Sequence, residues 1–373
     1  MRLLRQAPGD DAGLLVARGG AVATVAIDAL GADLGAAEVA AGAALAARSG
    51  TRCLLFGPRT ELEPALRADG TSVEIVDAPV AIGNEEEPAR AVRAKQDASI
   101  VRAAKALAAG EADALVGAGS TGAALAASLL HVKRLPGVYR PAIAVPLPAP
   151  GGRVVMLDAG ANVEVRPEHL VQFAFMGAAF SEGVLGVERP RVALLSVGEE
   201  SSKGTETVVA AHQRLAGSGL EFIGNVEGGD IPAGKADVVV TDGFTGNVAL
   251  KLMEGTVRSL VGAIRDVARS GAMSALGGLL LRPKLSDLRQ RLDPEEVGGA
   301  YLLGLRRLVV VCHGRSTRRA IENAIRLAER GVEERVVERT AEALAAAGVL
   351  RGEGDGSDVP AAAPSVAADK MPL

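Results

Sequence analysis

The sequence predicts an α/β protein in which a mostly parallel β-sheet is covered by helices on both faces. Three observations lead there. Short runs rich in Val, Leu and Ile recur along the chain, and most are continuously apolar rather than alternating, as strands buried on both faces require. Ala-rich stretches of helical period lie between them, the alternation expected of an α/β architecture. The strand-like runs end repeatedly in Gly, Asp, Asn and Ser, the residues that turn a chain and cap the helix that follows.

Taken in order, Val22–Ile27 reads as the first strand and Glu38–Arg48 as its helix. Further strands are expected at Cys53–Phe56, Val73–Val76, Ala114–Val116, Ile143–Val145, Val154–Leu157, Val192–Ser196, Val238–Thr241 and Leu308–Val311. Long helices are expected over Pro88–Ala109 and Thr205–Leu215. The chain is 48% hydrophobic but only 2% aromatic, so its core must be aliphatic. Residues 1–20 precede the first strand and are expected to be a flexible extension, and 351–373 lack periodicity and are expected to be a disordered tail. Between them, 21–350 reads as one domain.

A net charge of −4 argues against a general nucleic-acid binder. Cys53 and Cys312 each sit in an apolar run and read as reduced core thiols. Those cysteines and the four scattered histidines make no zinc spacing, so no metal site is expected. Asp10 and Asp11 fall where a secretory leader would need an apolar stretch, and Gly271–Leu281 is too short to span a bilayer.

In an open α/β sheet, ligands bind beyond the carboxyl ends of the strands. Six loops follow predicted strands, and the sequence reading sets all six at one edge. The first holds Asp28, Gly31 and Asp33; the second Gly119, Ser120, Thr121 and Gly122; the third Asp158 and Asn162. The fourth holds Glu199 and Lys203; the fifth Asp242, Gly243, Thr245, Gly246 and Asn247; the sixth His313. Each alone is explained by turn and cap chemistry. Together they favour a small-anion site, because glycine lets backbone N–H groups converge and helix N-termini add positive potential. Lys203, beside a glycine before a helix, suits a point charge on a phosphate. His169 reads equally as a helix-packing residue or a ligand contact. Gly117-x-Gly119-x-x-Gly122 matches a dinucleotide fingerprint, but the acidic residue expected about 20 positions on is replaced by Val138-Tyr139-Arg140-Pro141-Ala142.

These blocks, in order and at length, resemble the bacterial phosphate acyltransferase family of phospholipid synthesis. The resemblance runs over about 22–345. It rests on Asp28–Asp33, Gly119–Ala123, Leu157–Asn162 continuing through Pro167–Ala174, Glu188–Val192, Gly198–Glu206, Phe222–Gly228, Asp242–Asn247, Gly298–Ala300 and His313-Gly314. Ser120, Ala32 and Arg315 depart from the family's usual residues, which bears on substrate preference or rate.

The resemblance implies a three-layer α/β/α sandwich akin to isopropylmalate and isocitrate dehydrogenases and to phosphotransacetylases. It implies a homodimer with no cofactor. It implies transfer of a fatty acyl group from acyl carrier protein to inorganic phosphate, the acyl phosphate then passing to a membrane glycerol-3-phosphate acyltransferase. Phosphate is itself the nucleophile, so the protein must orient it and stabilise an oxyanion. Lys203, Asn162 and Asn225 are the expected catalytic residues, and Asp28, Asp158 and Asp242 the loop-orienting ones. A nicotinamide-dependent decarboxylating dehydrogenase of the same fold, or a non-catalytic scaffold of a lipid pathway, are the alternatives.

Over 248–291 a protruding helical hairpin is expected. Val248, Leu252, Leu260, Ile264 and Val267 give it a buried stripe, and Lys251, Arg258, Arg265 and Arg269 share another face. Across 255–291 seven basic residues stand against two acidic ones, including Arg282 and Lys284 beyond an apolar turn that holds Leu279, Leu280 and Leu281. This reads as a docking face for an acidic carrier protein, with the apolar tip touching anionic membrane, on a cytoplasmic protein that meets the membrane only peripherally.

Overall fold

A computed structural model of the chain describes residues 22–69, 73–271 and 294–351, with four single positions between 274 and 284. The expected extension, the tail beyond Arg351, and Leu279, Leu280 and Arg282 lie outside the described residues.

Eleven strands form one sheet. They are β1 (Thr24–Asp28), β2 (Arg52–Gly57), β3 (Glu74–Asp77), β4 (Ala114–Gly117), β5 (Ala142–Ala149), β6 (Gly152–Leu157), β7 (Arg191–Leu195), β8 (Glu221–Val226), β9 (Val238–Val240), β10 (Ala300–Leu303) and β11 (Leu308–Val311). Their order is β3-β2-β1-β4-β11-β10-β5-β6-β9-β7-β8. Alternate residues of each strand feed two separate cores: Val25 and Ile27 of β1 join one, and Ala26 joins the other. The first core holds helices Ala36–Arg48, Pro167–Leu185 and Arg318–Glu333, and the second holds Ser99–Ala109 and Thr121–Ala127. The sheet is therefore the middle of three layers, which is why its strands read as continuous apolar runs.

Most pairings are parallel, but β11 with β10, β10 with β5, and β5 with β6 are antiparallel. Three successive reversals leave β6, β9, β7 and β8 running opposite to β1–β4 and β11. The expectation that six polar loops share one edge is therefore corrected. Loops after β1, β4 and β11 leave one end of their strands, and loops after β6, β7 and β9 leave the other. The tight Pro150-Gly151 link makes β5 and β6 a hairpin, with Gly151 at φ 85° as its turn demands.

Two further corrections concern helices. The expected helix over Pro88–Ala109 is two, Pro88–Ala94 and Ser99–Ala109, separated where Lys95 leaves helical geometry at φ −104°, ψ 71°. The Gly243–Arg269 helix buries only Gly243 and Gly246. Its apolar stripe is not buried as expected: Val248, Leu252, Leu260 and Val267 are more than half exposed, and Ile264 is 38% exposed.

Candidate functional site

The loop after β6 is tied down by a buried carboxylate. Asp158 is fully buried and its carboxylate accepts five hydrogen bonds. Oδ1 takes the backbone N–H of Ile143 (2.9 Å), Gly160 (3.2 Å) and Ala161 (3.0 Å). Oδ2 takes Asn162 N (2.7 Å) and Nδ2 (2.8 Å). Burial raises the Asp158 pKa, and these donors act against that rise. Asn162 also donates Nδ2 to the Pro141 carbonyl at 2.7 Å, tying the loop to the start of β5. Both side chains are thus spent on holding the loop.

The helix after β9 is seated directly on it. Gly243 N–H donates to Asn162 O at 2.7 Å. A Cβ on Gly243 would lie 2.7 Å from Asn162 N, and one on Gly246 would lie 1.9 Å from Asp158 O. No side chain fits at Gly246, so that glycine is required by the contact between two chain segments. Asp242 caps the helix, accepting from Thr245 N at 2.8 Å and Thr245 Oγ1 at 2.7 Å. The N–H groups of Gly243 and Thr245 are thereby taken up internally. Thr245 and Asn247 stay exposed, and Asn247 lies against Gly160.

The loop after β7 is pinned from β8. Buried Asn225 donates Nδ2 to Glu200 O at 2.8 Å and more weakly to Lys203 O at 3.5 Å, while its Oδ1 meets His212 Nδ1 at 3.1 Å. Asn225 therefore positions the loop that carries Lys203. Lys203 is exposed and has no acidic partner among the described residues. Glu199 is engaged by Lys235, which also meets Asp230.

His169 stands in the first turn of the Pro167–Leu185 helix and closes a capping box. Its Nδ1 accepts from Arg166 N at 3.2 Å, so Nε2 carries the proton, and that buried N–H has no partner among the described residues. Burial first, then the charges of Arg166 and Arg140, push its pKa down to about 4. Arg140 itself is held below its usual value by burial and by the like charges of Arg134 and Arg166. Sequence reasoning passed over Arg140, Arg166, His212 and Lys235. The Arg-Pro pairs at 140–141 and 166–167 were the available signal for the first two, since each borders a strand or helix start.

The other loop set, after β1, β4 and β11, is built separately. Asp28 is buried, and desolvation raises its carboxyl to about 7 against hydrogen bonds from Ser99 and Leu30 N. A Cβ on Gly119 would meet Leu30 O at 2.5 Å, and one on Gly122 would meet Pro88 Cγ at 2.9 Å. These glycines serve close chain packing, which removes the support the Gly117-x-Gly119-x-x-Gly122 spacing lent to nicotinamide binding. Ser120 caps the Thr121–Ala127 helix, donor Ala123 N at 3.4 Å. Gly31 adopts φ 84° and packs on Gly119. Asp33 N–H donates to Gly314 O at 2.8 Å, its carboxylate is 3.9 Å from Arg315, and His313 Nδ1 accepts from Arg315 N at 3.3 Å.

Arg258, Arg265 and Arg269 are exposed along the Gly243–Arg269 helix, and Leu281 and Lys284 are exposed beyond it. Cys53 and Cys312 are free and buried. Among the described residues no group of three His, Cys, Asp or Glu side chains is disposed to hold a metal, and no helix is long and apolar enough to cross a membrane.

Comparison with known proteins bears on this arrangement. The pattern of the family described as "Fatty acid synthesis protein" matches residues 23–339. A phosphate acyltransferase of Heliobacterium modesticaldum is 47% identical over 309 residues, covering 82% of this chain and 92% of that one. Among solved structures, the EutD phosphotransacetylase of Staphylococcus aureus superposes with TM-score 0.52 at 17% identity, over 83% of this chain and 94% of its own. The 4-hydroxythreonine-4-phosphate dehydrogenase of Klebsiella pneumoniae does so with TM-score 0.53 at 15% identity, over 85% and 100%. Those two likenesses concern the fold alone.

Proposed function

Because the chain belongs to the fatty acid synthesis family that includes the phosphate acyltransferases, it is an acyltransferase, and we propose that it transfers a fatty acyl group from acyl carrier protein to inorganic phosphate. The observation that carries the reading is the loop set after β6, β7 and β9. Asp158, Asp242 and Glu199 are engaged, while exposed Lys203 makes no ion pair among the described residues and exposed Glu200 of the same loop is likewise not engaged. A dianionic phosphate would give Lys203 a counter-charge.

In this reading a phosphate oxygen attacks the thioester carbonyl carbon. The C–O bond forms, the C–S bond breaks, and the sulfur leaves and takes a proton. No side-chain nucleophile is needed. Lys203 holds the phosphate, and Asn225 and Asn162 act through the loops they fix. Most of the rate advantage is orientation of two bound reactants. The set around Gly119 is the weaker place for phosphate, because its glycines are accounted for by packing.

The exposed face of Gly243–Arg269, with Arg258, Arg265 and Arg269 beside Val248 and Leu252, suits an acidic carrier protein. Arg282, Lys284 and the apolar sequence Leu279–Leu281 extend the same proposal to anionic membrane. A homodimer, a cytoplasmic setting with peripheral attachment, and hand-over of acyl phosphate to a membrane glycerol-3-phosphate acyltransferase complete the reading.

Lys203→Ala tests the phosphate role. Phosphate-dependent release of carrier thiol should fall at least about tenfold, the effect of about 1.4 kcal/mol lost from the transition state, with an unchanged circular-dichroism spectrum. Near-normal release by the folded variant would sink the assignment.

A further inference from the structure

Strand β8 is irregular where it passes the loop that carries Lys203. Val192 of β7 pairs with Phe222, and the next residue, Ala193, pairs with Gly224, so Ile223 is an extra residue bulged out of register. Gly224 takes φ 94°, the left-handed region that glycine enters without strain. In a regular strand Phe222 and Asn225, three residues apart, would point to opposite faces. The bulge re-aims them to one face: Phe222 packs against the first core, whereas Val226, the neighbour of Asn225, belongs to the second.

His212, in the last turn of the Glu206–Leu215 helix, meets both residues on that face. Its ring stands edge-on to Phe222, with centroids 5.1 Å apart at 76°, and its Nδ1 lies 3.1 Å from Asn225 Oδ1. The rest of the amide sets the direction of that hydrogen bond. Asn225 Nδ2 donates to Glu200 O at 2.8 Å and to Lys203 O at 3.5 Å, so Oδ1 is left to accept and His212 Nδ1 must donate. An imidazole can donate there whether neutral or charged, so the bond asks for no proton transfer. This donation keeps the amide from turning its oxygen toward two carbonyls. The turn that Asn225 clasps is short: Lys203 N–H donates to Glu200 O at 3.0 Å, and the amide holds the carbonyls at both ends. A Cβ on Gly198 would lie 3.1 Å from Lys203 Cγ, so the lysine stem runs over the start of the same loop. A shift of the turn therefore shifts the ammonium.

We propose that His212 is a positioning residue for Lys203, acting through Asn225. It touches neither reactant. The bulge in β8 brings Asn225 to the face of the helix, the histidine fixes the amide, and the amide fixes the turn that presents the lysine. The consequence for turnover rests on the phosphate role given to Lys203 above.

Two substitutions in the full chain separate the donor from the ring. His212→Phe keeps a ring against Phe222 and removes the donor. His212→Asn removes the ring and offers an amide NH2 near the place of Nδ1. Steady-state kinetics with acyl carrier protein thioester should show the Michaelis constant for phosphate raised at least about tenfold in His212→Phe, that for the thioester unchanged, and phosphate use largely restored in His212→Asn. Asn225→Ala cuts the link at its other end and should match His212→Phe, and the double variant should be no worse than either. Hydrogen–deuterium exchange at the Lys203 amide, read without turnover, should quicken in His212→Phe and not in His212→Asn. Equal or greater loss in His212→Asn would make the residue a packing element and overturn the proposal, as would parental exchange and parental phosphate kinetics in His212→Phe. Quickened exchange with unchanged phosphate kinetics would keep His212 as the support of the turn and refute the phosphate role of Lys203.

Discussion

Asp158→Asn isolates the residue on which the loop after β6 depends. The carboxylate has three donors on Oδ1 and two on Oδ2. An amide offers one acceptor oxygen and one NH2 group. Its least costly orientation keeps the three donors and turns NH2 toward both Asn162 donors. Two buried donors then lose their acceptor, at about 1–3 kcal/mol each, or about 2–6 kcal/mol together. Relief from burying a charge offsets part of this, leaving about 2–4 kcal/mol. Urea unfolding followed by circular dichroism measures it as a lower midpoint at constant slope. Asp242→Asn is the control: asparagine caps a helix as well as aspartate does, so the loss should stay within about 0.5 kcal/mol. Equal, small shifts in both variants would refute the claim that Asp158 organises the site.

Other outcomes follow from the same geometry. Gly246→Ala should destabilise severely, because its Cβ would sit 1.9 Å from Asp158 O. Gly255→Ala, on the same helix with open space around it, should stabilise by about 0.5–1 kcal/mol; thermal melts of both check the pair. Asp28 has a carboxyl raised from 3.8 to about 7, so between those values the folded state binds more protons than the unfolded state and stability falls as pH rises. Asp28→Asn should therefore gain stability relative to the parent between pH 4 and 7, by about 4 kcal/mol at most, with no further gain above pH 7. A pH-independent difference in denaturant titrations would contradict the buried-acid account. Arg265→Glu with Arg269→Glu should raise the Michaelis constant for acyl carrier protein at least about tenfold at low salt and leave that for phosphate unchanged. Insensitivity of carrier-protein kinetics would remove this face as the docking surface.

The three-layer architecture was legible because a strand buried on both faces has to be apolar along its buried length, as in β4 and β9. An apolar run carries no direction, so the β5–β6 hairpin and the opposite sense of β6, β7 and β9 were not legible, although Pro150-Gly151 was a turn signal. Strand β8 escaped because it is an edge strand: Glu221 and Ile223 are exposed and Gly224 adopts φ 94°, so no apolar run appears. Strand β10 is four residues and follows Gly298-Gly299. The stripe on Gly243–Arg269 failed for another reason. Helical periodicity says that one face is apolar and does not say that anything covers it.

The site shows the same division. Asp158 and Asp242 were legible as loop-holding residues because local loop chemistry marks them. Their division of labour was not, because it depends on contacts distant in sequence: Ile143 and Pro141 on the β6 loop, Asn225 on the β7 loop, and Lys235 on Glu199. Arg140, Arg166 and the orphaned His169 Nε2 belong with these, since a cluster of charges assembled by tertiary packing leaves no motif.

The most direct measurement is a phosphorus nuclear magnetic resonance time course of the full chain with acyl carrier protein thioester and inorganic phosphate, with free thiol assayed in parallel. A new acyl phosphate resonance should grow in step with thiol release and be absent without either substrate. Thiol release that proceeds without phosphate, or no acyl phosphate under conditions where the protein is folded, would contradict the proposed acyl transfer.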